Sequence, residues 1–382
     1  MFPKLFDEIQ FEGGLNYAFL GVLTSCRKCE VTEARNGAYT LSLETTVNDE
    51  CAGLITSQRL IGVKPNPFDN MQLFEIQRTE RTYDGMIRVE AKHIKGLCFS
   101  ICTNASGADA DDPISFTGTP KQTWDEIASN YSYGTIPFSF ASDITTSKNF
   151  LLGLSVSNSL GNILGGQEGS FLDVWGGEFK WDNFSISLLK SRGRDRNYKI
   201  QYGQNVSDAV QSESCENTYS HIMPFAWYTT PSGKKVSLAL SPIAISGTQS
   251  VYNKSFILDC SEVLNPYIVG PASIGTQTIT TAQAQQIVQE YATEYARVNR
   301  LGELNINIDV TIRAQLDDMA EIGLCDTVKV ILDNFGTEAS AKITKVVYDA
   351  ILERWKSLTI GSPKVSMADL ILNRRRFLDE NK

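Results

Sequence analysis

Two cysteines in the segment Cys26-Arg-Lys-Cys29 have the spacing of a metal knuckle or of a redox-active pair. A structural zinc site needs four ligands, so two more would have to come from elsewhere in the chain. Cys51 or His93 could supply one, but no second close pair stands at ligand spacing, because three residues separate Cys98 from Cys102. We interpret these thiols as reduced structural cysteines, and the sequence predicts no metal site and no cofactor.

Histidine-dependent catalysis is disfavoured, since the chain has only two histidines, His93 and His221. A cysteine peptidase needs a histidine beside its nucleophile, and His93 with Cys98 is the nearest such pair along the chain. Nothing beyond this proximity supports that pair. No nucleophile elbow, phosphate-binding loop, dinucleotide fingerprint or metalloprotease helix occurs. The sequence therefore predicts no catalytic residue.

Paired carboxylates could hydrolyse a glycosidic bond, because two acids flank the cleaved bond in such enzymes. Four acids lie close together along the chain: Glu168, Asp173, Glu178 and Asp182. Paired acids are common in any acidic protein. The glycines at positions 165, 166, 169, 176 and 177 suit tight turns better than a catalytic floor. We therefore favour a structural interpretation of these acids.

Three aspartates, Asp109, Asp111 and Asp112, resemble the start of a calcium-binding loop. The pattern fails, because Pro113 occupies the position of the third ligand and no glycine stands at the sixth position. A solvated acidic loop is the favoured interpretation.

Basic residues are densest in one short segment, at Lys190, Arg192, Arg194, Arg196 and Lys199. A phosphate-binding patch is one interpretation. A solvated hairpin rim, or a subunit contact that faces an acidic neighbour, is favoured over it. A second basic run at residues 374–376 is interpreted as the charged face of a helix.

Composition indicates a folded chain of two to four domains, with 382 residues, 42% hydrophobic residues and 21% charged residues. No apolar run reaches the roughly 18–20 residues of a membrane helix, and the first residues do not resemble a secretory signal. We expect synthesis in the cytoplasm and no membrane anchor. The net charge of −9 disfavours a protein that grips nucleic acid, which normally carries a basic stripe.

Alternating polar and apolar residues predict a mainly β chain with few helices. Strands are predicted at residues 27–34, 39–47, 59–63, 72–79, 86–93, 177–183, 184–189, 198–202, 220–229, 235–240, 304–310, 327–332, 341–348 and 355–360. Turns are predicted at Asn36-Gly37, Asp84-Gly85, Asp182-Asn183 and Pro231–Gly233.

Four helices are predicted. One begins after the cap Thr119, a short one lies near residues 158–163, and a long one runs from Thr281 to about Arg300 and ends before Gly302. On the long helix we expect one apolar face, made by Ile287, Val288, Tyr291, Tyr295 and Val298. The fourth helix is predicted at residues 366–380.

One segment resembles a known family. Residues 165–205, here called the signature segment, contain GGQEGSFLDVWGGEFKWDNF at 165–184, RGRDR at 192–196 and IQYGQN at 200–205. This segment resembles the signature of bacteriophage tail hub proteins, the family labelled prophage tail endopeptidase or tail-associated lysin, N-terminal part. Residues 34–43, 66–76, 87–94, 323–330 and 343–361 are similar to further family motifs in the same order. Cys325 stands where the family usually has glycine.

The resemblance implies a fold with two small β-barrels that resemble tail-tube domains. Residues 1–97 would form the first barrel, and residues 192–250 with 321–362 would form the second. Residues 98–191 and 251–320 would form a peripheral α+β insert, and residues 363–382 a C-terminal helix or linker. The family is similar to the baseplate hub of contractile-tailed phages.

The implied function is structural. Three chains would form a pseudo-sixfold ring at the tail tip of a virion, made in the bacterial cytoplasm, that continues or closes the tail tube. The implied partners are distal tail and tail-tube proteins, the tape measure protein, and a tip fibre or lysin domain. DNA would pass through the lumen without specific binding, and weak repulsion by an acidic wall would favour its passage.

Two alternatives remain beside the structural hub. One is a peptidoglycan hydrolase or endopeptidase that acts on the cell wall during infection, although no catalytic constellation accompanies the family label. The other is a module that binds wall carbohydrate through exposed Trp175, Trp181 and Trp227. Core packing is the favoured interpretation of these three aromatic residues.

Overall fold

A computed structural model of the protein describes the following residues: 2–11, 15–102, 114–129, 136–152, 159–166, 169–201, 206–215, 218–248, 252–264, 267–270, 278–298, 301–302, 305–312, 322–332 and 337–361. The chain divides into two compact units. The large unit comprises Met1–Val210 and Ile308–Lys382, and the small unit comprises Gln211–Asn307.

The chain is mainly β, as predicted. Its strands are β1 (Lys4–Phe6), β2 (Phe19–Val22), β3 (Lys28–Ala34), β4 (Tyr39–Thr46), β5 (Leu60–Val63), β6 (Gln72–Arg81), β7 (Met86–His93), β8 (Ile114–Gly118), β9 (Ser139–Ser142), β10 (Lys148–Leu152), β11 (Glu178–Asp182), β12 (Ser185–Leu189), β13 (Asp195–Gln201), β14 (Val206–Ser214), β15 (His221–Thr229), β16 (Lys235–Ala239), β17 (Ile243–Ala244), β18 (Ser255–Asp259), β19 (Ile268–Val269), β20 (Thr278–Ile279), β21 (Asn305–Ile312), β22 (Thr327–Leu332), β23 (Thr337–Asp349) and β24 (Arg354–Ile360). Its α-helices are α1 (Pro120–Ser129), α2 (Phe171–Trp175), α3 (Ser261–Leu264) and α4 (Thr281–Val298).

One extended sheet of the large unit joins strands from both ends of the sequence. Its strand order is β21-β24-β23-β3-β4-β7-β6-β5-β1-β2, and β22 also pairs with β23 and with β13. The join is the antiparallel pair β3–β23, in which Glu33 lies opposite Val346 and Val31 opposite Tyr348. The pairings between described strands close no barrel, so the two-barrel arrangement stays a prediction.

Side-chain alternation explains why these strands form. In β3 and β4 every second residue is buried, as expected of strands with one face against a core. The inward residues of β3 are Cys29, Val31 and Glu33, so a carboxylate occupies a core-facing position. A buried charge requires a counter-ion, which makes Glu33 informative about the site.

Four predicted turns contain a residue with positive φ, the conformation that glycine and asparagine tolerate best. The φ angles are 51° at Asn36, 78° at Gly85, 50° at Asn183 and 77° at Gly233. Gly302, which follows α4, has a φ of 96°. These turn predictions are confirmed.

Residues between 98 and 189 build a core of their own within the large unit, rich in aromatic side chains. Around it lie the antiparallel pair β8–β10 and a three-stranded sheet in the order β11-β12-β9. Helix α1 begins with the predicted cap, since Thr119 Oγ1 accepts from the Gln122 N–H at 3.4 Å and Gln122 Oε1 accepts from the Thr119 N–H at 2.9 Å. The predicted helix near 158–163 lies later, as a π-helical turn at Asn162–Gly166.

The small unit packs α4 against a sheet in the order β16-β15-β19-β20, with β17 and β18 also paired to β15. The buried stripe of α4 is Ala284, Val288, Ala292 and Ala296. The larger predicted residues Ile287, Tyr291 and Tyr295 are only partly buried beside it. The predicted face is therefore right at Val288 but missed the alanines, whose small side chains let the helix lie close to the sheet.

Some predictions fall outside the described residues, namely the helix at 366–380, the basic run at 374–376, the acidic loop at 109–113, and Glu168. No helix in the described part of the chain has the length and apolarity that crossing a membrane requires.

Candidate functional site

The hairpin turn between β11 and β12, in the centre of the signature segment, is hydrogen-bonded to the start of β6. Asn183 Oδ1 accepts from the Leu73 N–H at 2.8 Å, and Asn183 Nδ2 donates to the Met71 carbonyl at 2.9 Å. The Asn183 N–H donates to Gln72 Oε1 at 2.8 Å, and Gln72 Nε2 donates to Asp182 Oδ1 at 2.8 Å. The side chain of Asn183 thus substitutes for a neighbouring strand and fixes the position of the signature segment.

His93 supports this turn from the core. Its Nδ1 accepts from the Lys95 N–H at 3.1 Å, so the neutral ring carries its proton on Nε2, which lies 3.1 Å from Gln72 Oε1. The ring stacks on Tyr39 at a centroid distance of 4.3 Å. Burial, and then the charge of Lys95, lower the pKa of His93 well below its usual value. His93 therefore acts as a neutral donor that orients Gln72.

Arg192 is the central cation of the site. Its guanidinium donates from Nη1 to Glu33 Oε1 at 2.5 Å and from Nη2 to Glu33 Oε2 at 3.3 Å, and Nη2 lies 3.7 Å from Asp69 Oδ2. The Arg192 and Glu33 side chains are only 10% and 5% exposed. Burial lowers the pKa of Arg192, but the carboxylates of Glu33 and Asp69 outweigh this effect and raise it above its usual value. This pair neutralises the inward-facing carboxylate of β3.

Glu178, the first residue of β11, links the signature segment to the C-terminal hairpin. Its carboxylate accepts from Lys342 Nζ at 2.7 Å and from the Arg192 N–H at 2.8 Å, and it lies 3.6 Å from Arg35 Nη1. Burial raises the pKa of Glu178, but the hydrogen bond from Lys342 and the other contacts lower it below its usual value. Glu178 is therefore held as an anion.

Asp326 likewise holds the signature segment, at Arg194 and Arg196 of the basic run. It accepts from the Arg194 N–H at 2.7 Å, from Arg196 Nε at 3.0 Å and from the Gly323 N–H at 2.9 Å. The preceding residue, Cys325, has a φ of 71°, in the left-handed region that favours glycine. The position where the resemblance expects glycine thus has the backbone conformation of glycine while carrying a side chain.

Asp69 completes the arrangement. It accepts from Asn66 Nδ2 at 2.7 Å and lies 3.0 Å from Lys180 Nζ. Burial raises the pKa of Asp69, but Asn66 and Lys180 lower it below its usual value.

We call the following residues the charge network: Glu33, Asp69, Glu178, Arg192, Arg196, Asp326 and Lys342. It connects strands that lie far apart in the sequence, because its members come from β3, β11, β13 and β23 and from the loops between strands.

A groove of about 310 Å³ opens beside the charge network. Its lining residues are Asn66, Phe68, Asp69, Lys180, Arg192, Arg194, Arg196, Gly323, Leu324 and Asp326. These residues can bind and orient a charged group, but a general acid needs a raised pKa, and the pKa values of Asp69 and Glu178 are shifted the opposite way.

The predicted carboxylate cluster has separate structural partners. Glu178 pairs with Lys342, and Asp182 accepts from Gln72. Asp173 Oδ2 accepts from the Gly169 N–H at 3.0 Å, beside the N-terminus of α2. Burial raises the pKa of Asp173.

The residues of the basic run differ in exposure. Lys190, Arg194 and Lys199 are exposed, which fits the rim interpretation. For Arg192 that interpretation is wrong, because its side chain is buried on Glu33. Arg192 is buried because Glu33, which points inward from β3, needs a counter-ion. The spacing of residues in the sequence does not identify which cation supplies it.

The cysteine pair lies in the core of the large unit. A hydrogen bond with Cys26, followed by burial, raises the pKa of Cys29 well above its usual value. Burial raises the pKa of Cys98 to about 12. Raised values disfavour the thiolate that a nucleophile or metal ligand requires. Among the described residues no group of three or more potential metal ligands comes together.

The three tryptophans differ in exposure. Trp175 packs on Phe150, at a centroid distance of 5.6 Å, and donates from Nε1 to the Thr146 carbonyl at 3.1 Å. Trp181 packs against Phe179 at 5.8 Å. Trp227 in the small unit is 51% exposed. Core packing is therefore the role of the first two and not of Trp227.

Sequence reasoning missed several residues of the site, among them Glu33, Asp69, Asp326 and Lys342. The signal for Glu33 was present, because a charged residue at an apolar position of a strand implies a buried counter-ion. Asp69 and Asp326 lie in loops and carry no comparable signal. Arg192 and Glu33 are 159 positions apart, so only the folded chain identifies the pair.

No known family model matches this chain, and no curated protein matches it. Solved structures do. The prophage tail protein gp18 of Listeria monocytogenes is 12% identical, with a TM-score of 0.54, over 99% of this chain and 100% of that one.

Two further structures match at least as well in shape. The 43 kDa tail protein of prophage MuSo2 from Shewanella oneidensis is 11% identical over 94% of this chain and 97% of that one, with a TM-score of 0.56. A tail protein of Neisseria meningitidis is 9% identical over 97% and 99%, also with a TM-score of 0.56. Over nearly its whole length, this chain has the fold of prophage tail proteins.

Proposed function

We propose that the protein is a non-enzymatic structural component of a phage or phage-like tail tip. The observation that carries this proposal is the whole-length likeness to three prophage tail proteins of different bacteria. The charge network supports it, because its carboxylates hold strands of the sheet together, and the lowered pKa values of Asp69 and Glu178 keep those two ionised. A rigid framework whose buried charges are paired suits a part that transmits mechanical force.

In this proposal three copies form a pseudo-sixfold ring that continues or closes the tail tube. The ring contacts tail-tube and tape measure proteins, carries a tip fibre or a lysin domain, and lets DNA pass without specific binding. The end strand β2 offers an edge for subunit pairing, with Phe19 57% exposed and Phe2 46% exposed nearby. Apolar edge strands are liabilities in a monomer and suitable interfaces in an assembly.

Light scattering coupled to size exclusion tests the ring. We expect three times the mass of one chain, and annular particles with a central hole in negative-stain images. Phe19→Ser should shift the mass towards that of a single chain. Tyr83→Ser, which alters a fully exposed turn residue, should leave it unchanged. A wild-type protein that stays monomeric at high concentration and forms no annular particles contradicts the proposal.

Wall-carbohydrate binding is the second candidate, because Trp227 is half exposed and apolar neighbours on the same sheet face are also exposed. Met223 and Ile257 lie opposite each other in the pair β15–β18 and are 38% and 69% exposed. Sugars stack on such aromatic faces. A glycan array should then show binding that Trp227→Ala removes and Tyr252→Ser retains. The hydrolase alternative is checked in the same preparation by the turbidity of purified cell walls, which a structural protein leaves constant.

A further inference from the structure

The groove beside the charge network carries an excess of positive charge. Four cationic side chains line it, Lys180, Arg192, Arg194 and Arg196, against two carboxylates, Asp69 and Asp326. The chain as a whole has a net charge of −9. The groove is therefore a local basic site on an acidic protein, which is an arrangement that selects a small anionic group rather than a long polyanion.

Internal contacts already occupy most of these charges. Arg192 is held by Glu33, Lys180 pairs with Asp69, and Arg196 donates to Asp326. Arg194 contributes its backbone N–H to Asp326 while its side chain is exposed. No ion pair within the described part of the chain involves the Arg194 guanidinium, so this group is available for an external anion.

An apolar side chain lines the same groove as that cation. Phe68 is 52% exposed, and its ring passes close to Gly323, at 3.5 Å from where a Cβ would stand. The Phe68 backbone is fixed, since its N–H donates to Asn66 Oδ1 at 2.9 Å. A guanidinium and an exposed aromatic ring in one groove suit a carboxylate with an apolar side chain near it.

We propose that the groove binds an acidic segment of another polypeptide, with an Asp or Glu carboxylate on Arg194 and a neighbouring apolar side chain on Phe68. Asp69 and Asp326 on the groove wall disfavour the repeated phosphates of a nucleic acid. This site is independent of the proposed function, because it requires neither a ring nor a tail.

Fluorescence anisotropy on the full chain tests the site. The probes are labelled hexapeptides with two adjacent acidic residues beside one aromatic residue, and the same peptides with the acids replaced by amides. We expect the acidic peptides to bind at least about tenfold more tightly, the effect of a lost charged hydrogen-bonded pair. Arg194→Gln should weaken binding at least about fivefold on the same grounds, and Phe68→Ser should also weaken it. Arg78→Gln, at an exposed arginine of β6, should not.

Both key side chains are exposed, so the variants should keep the melting temperature of the wild type, which circular dichroism checks. Several results overturn the proposal: no binding of any acidic peptide, equal binding of the amide peptides, or equal weakening by Arg78→Gln and Arg194→Gln. Stronger displacement of the peptide by a short DNA duplex or by inorganic phosphate than by unlabelled peptide would also overturn it, because the site would then be one for phosphate.

Discussion

At the scale of single residues, Arg192 is a guanidinium buried against a carboxylate. It makes a bidentate contact with Glu33, and the two side chains are 10% and 5% exposed. A buried ion pair is costly to form, but removing one partner costs more, because the remaining buried charge has neither a counter-ion nor water to solvate it. Arg192 is therefore a stability determinant and not a surface charge.

Arg192→Gln should lower the free energy of unfolding by about 3–5 kcal/mol, the range for breaking one partner of a buried pair. Arg78→Gln is the matched control, because Arg78 pairs with Glu80 at exposures of 62% and 44%. That exposed pair should contribute less than about 1 kcal/mol. Urea denaturation at neutral pH measures both. Equal losses in the two variants would contradict the central role of Arg192.

His93 predicts a pH dependence. Its pKa in the folded chain lies well below the usual value of 6.5, so the folded chain resists the proton that the unfolded chain accepts. The stabilisation is complete above the unfolded pKa and is lost as the pH falls from there towards the folded pKa, by up to about 1.4 kcal/mol per pH unit. The midpoints of urea denaturation between neutral and mildly acidic pH measure this loss of stability.

The controls for that dependence are two histidine variants. His93→Gln should be less stable at neutral pH, because the ring stacks on Tyr39 and orients Gln72, but should lose this part of the acid dependence. His221→Gln should keep the full dependence. If His93→Gln retains the wild-type slope, the acid sensitivity has another source.

At the scale of elements, the sequence predicted strands with clear alternation and missed those without it. Strands β3, β4, β6, β7, β11, β12 and β22 to β24 lie where alternation predicted them. Strands β8, β9 and β10, each of four or five residues, were not predicted, and their length does not explain this, because β11 and β12 are as short and were predicted. Their pairing is decided by the aromatic core around Phe150 and Phe171, which the sequence does not localise.

Strand partners were less predictable than strands. The pair β3–β23 joins residues about three hundred positions apart, and no local pattern assigns it. The charge network shares this origin, because its ion pairs Arg192–Glu33, Lys342–Glu178 and Arg196–Asp326 join residues 159, 164 and 130 positions apart. The sequence singled out the signature segment through its resemblance to a family. The structure shows which contacts hold that segment in place.

At Gly193 the chain passes very close to the backbone of Cys325 and Asp326. A Cβ at this position would lie 1.9 Å from the Cys325 carbonyl oxygen and 2.4 Å from the Asp326 nitrogen, which are backbone atoms. Gly193→Ala should therefore destabilise the chain by at least about 3 kcal/mol, at the upper end of the range for overpacking. Gly53→Ala, with no atom within 4 Å of its Cβ, is the control and should stay within about 0.5 kcal/mol. Thermal unfolding of both variants decides, and similar midpoints would contradict the close approach.

At the scale of the whole molecule, the small unit has its own core of β15, β18, α3 and α4 side chains. Its helix begins with a capping box, in which Thr280 Oγ1 accepts from the Gln283 N–H at 3.2 Å and Gln283 Oε1 accepts from the Thr280 N–H at 2.9 Å. A unit with a separate core and local helix signals satisfies the requirements for independent folding.

We expect a fragment of residues 211–307 to unfold cooperatively on heating, with a helical circular dichroism signal. Val288→Asp should abolish that transition, because Val288 is fully buried on α4 and a lone charge there has no partner. Gln285→Asp, at an exposed position of the same helix, should preserve it. A fragment without a cooperative transition would show that the small unit depends on the rest of the chain.

The pairing of β3 with β23 has a consequence during synthesis. The ribosome makes β3 early, and its partner emerges only after about three hundred further residues. At roughly 5–20 residues per second this delay lasts about 15–60 seconds. Throughout that time the nascent chain exposes the β3 edge that β23 later covers, and the carboxylate of Glu33 has no counter-ion until Arg192 is made 159 positions after it. Chaperone occupancy early in translation is therefore expected to govern the yield of native protein.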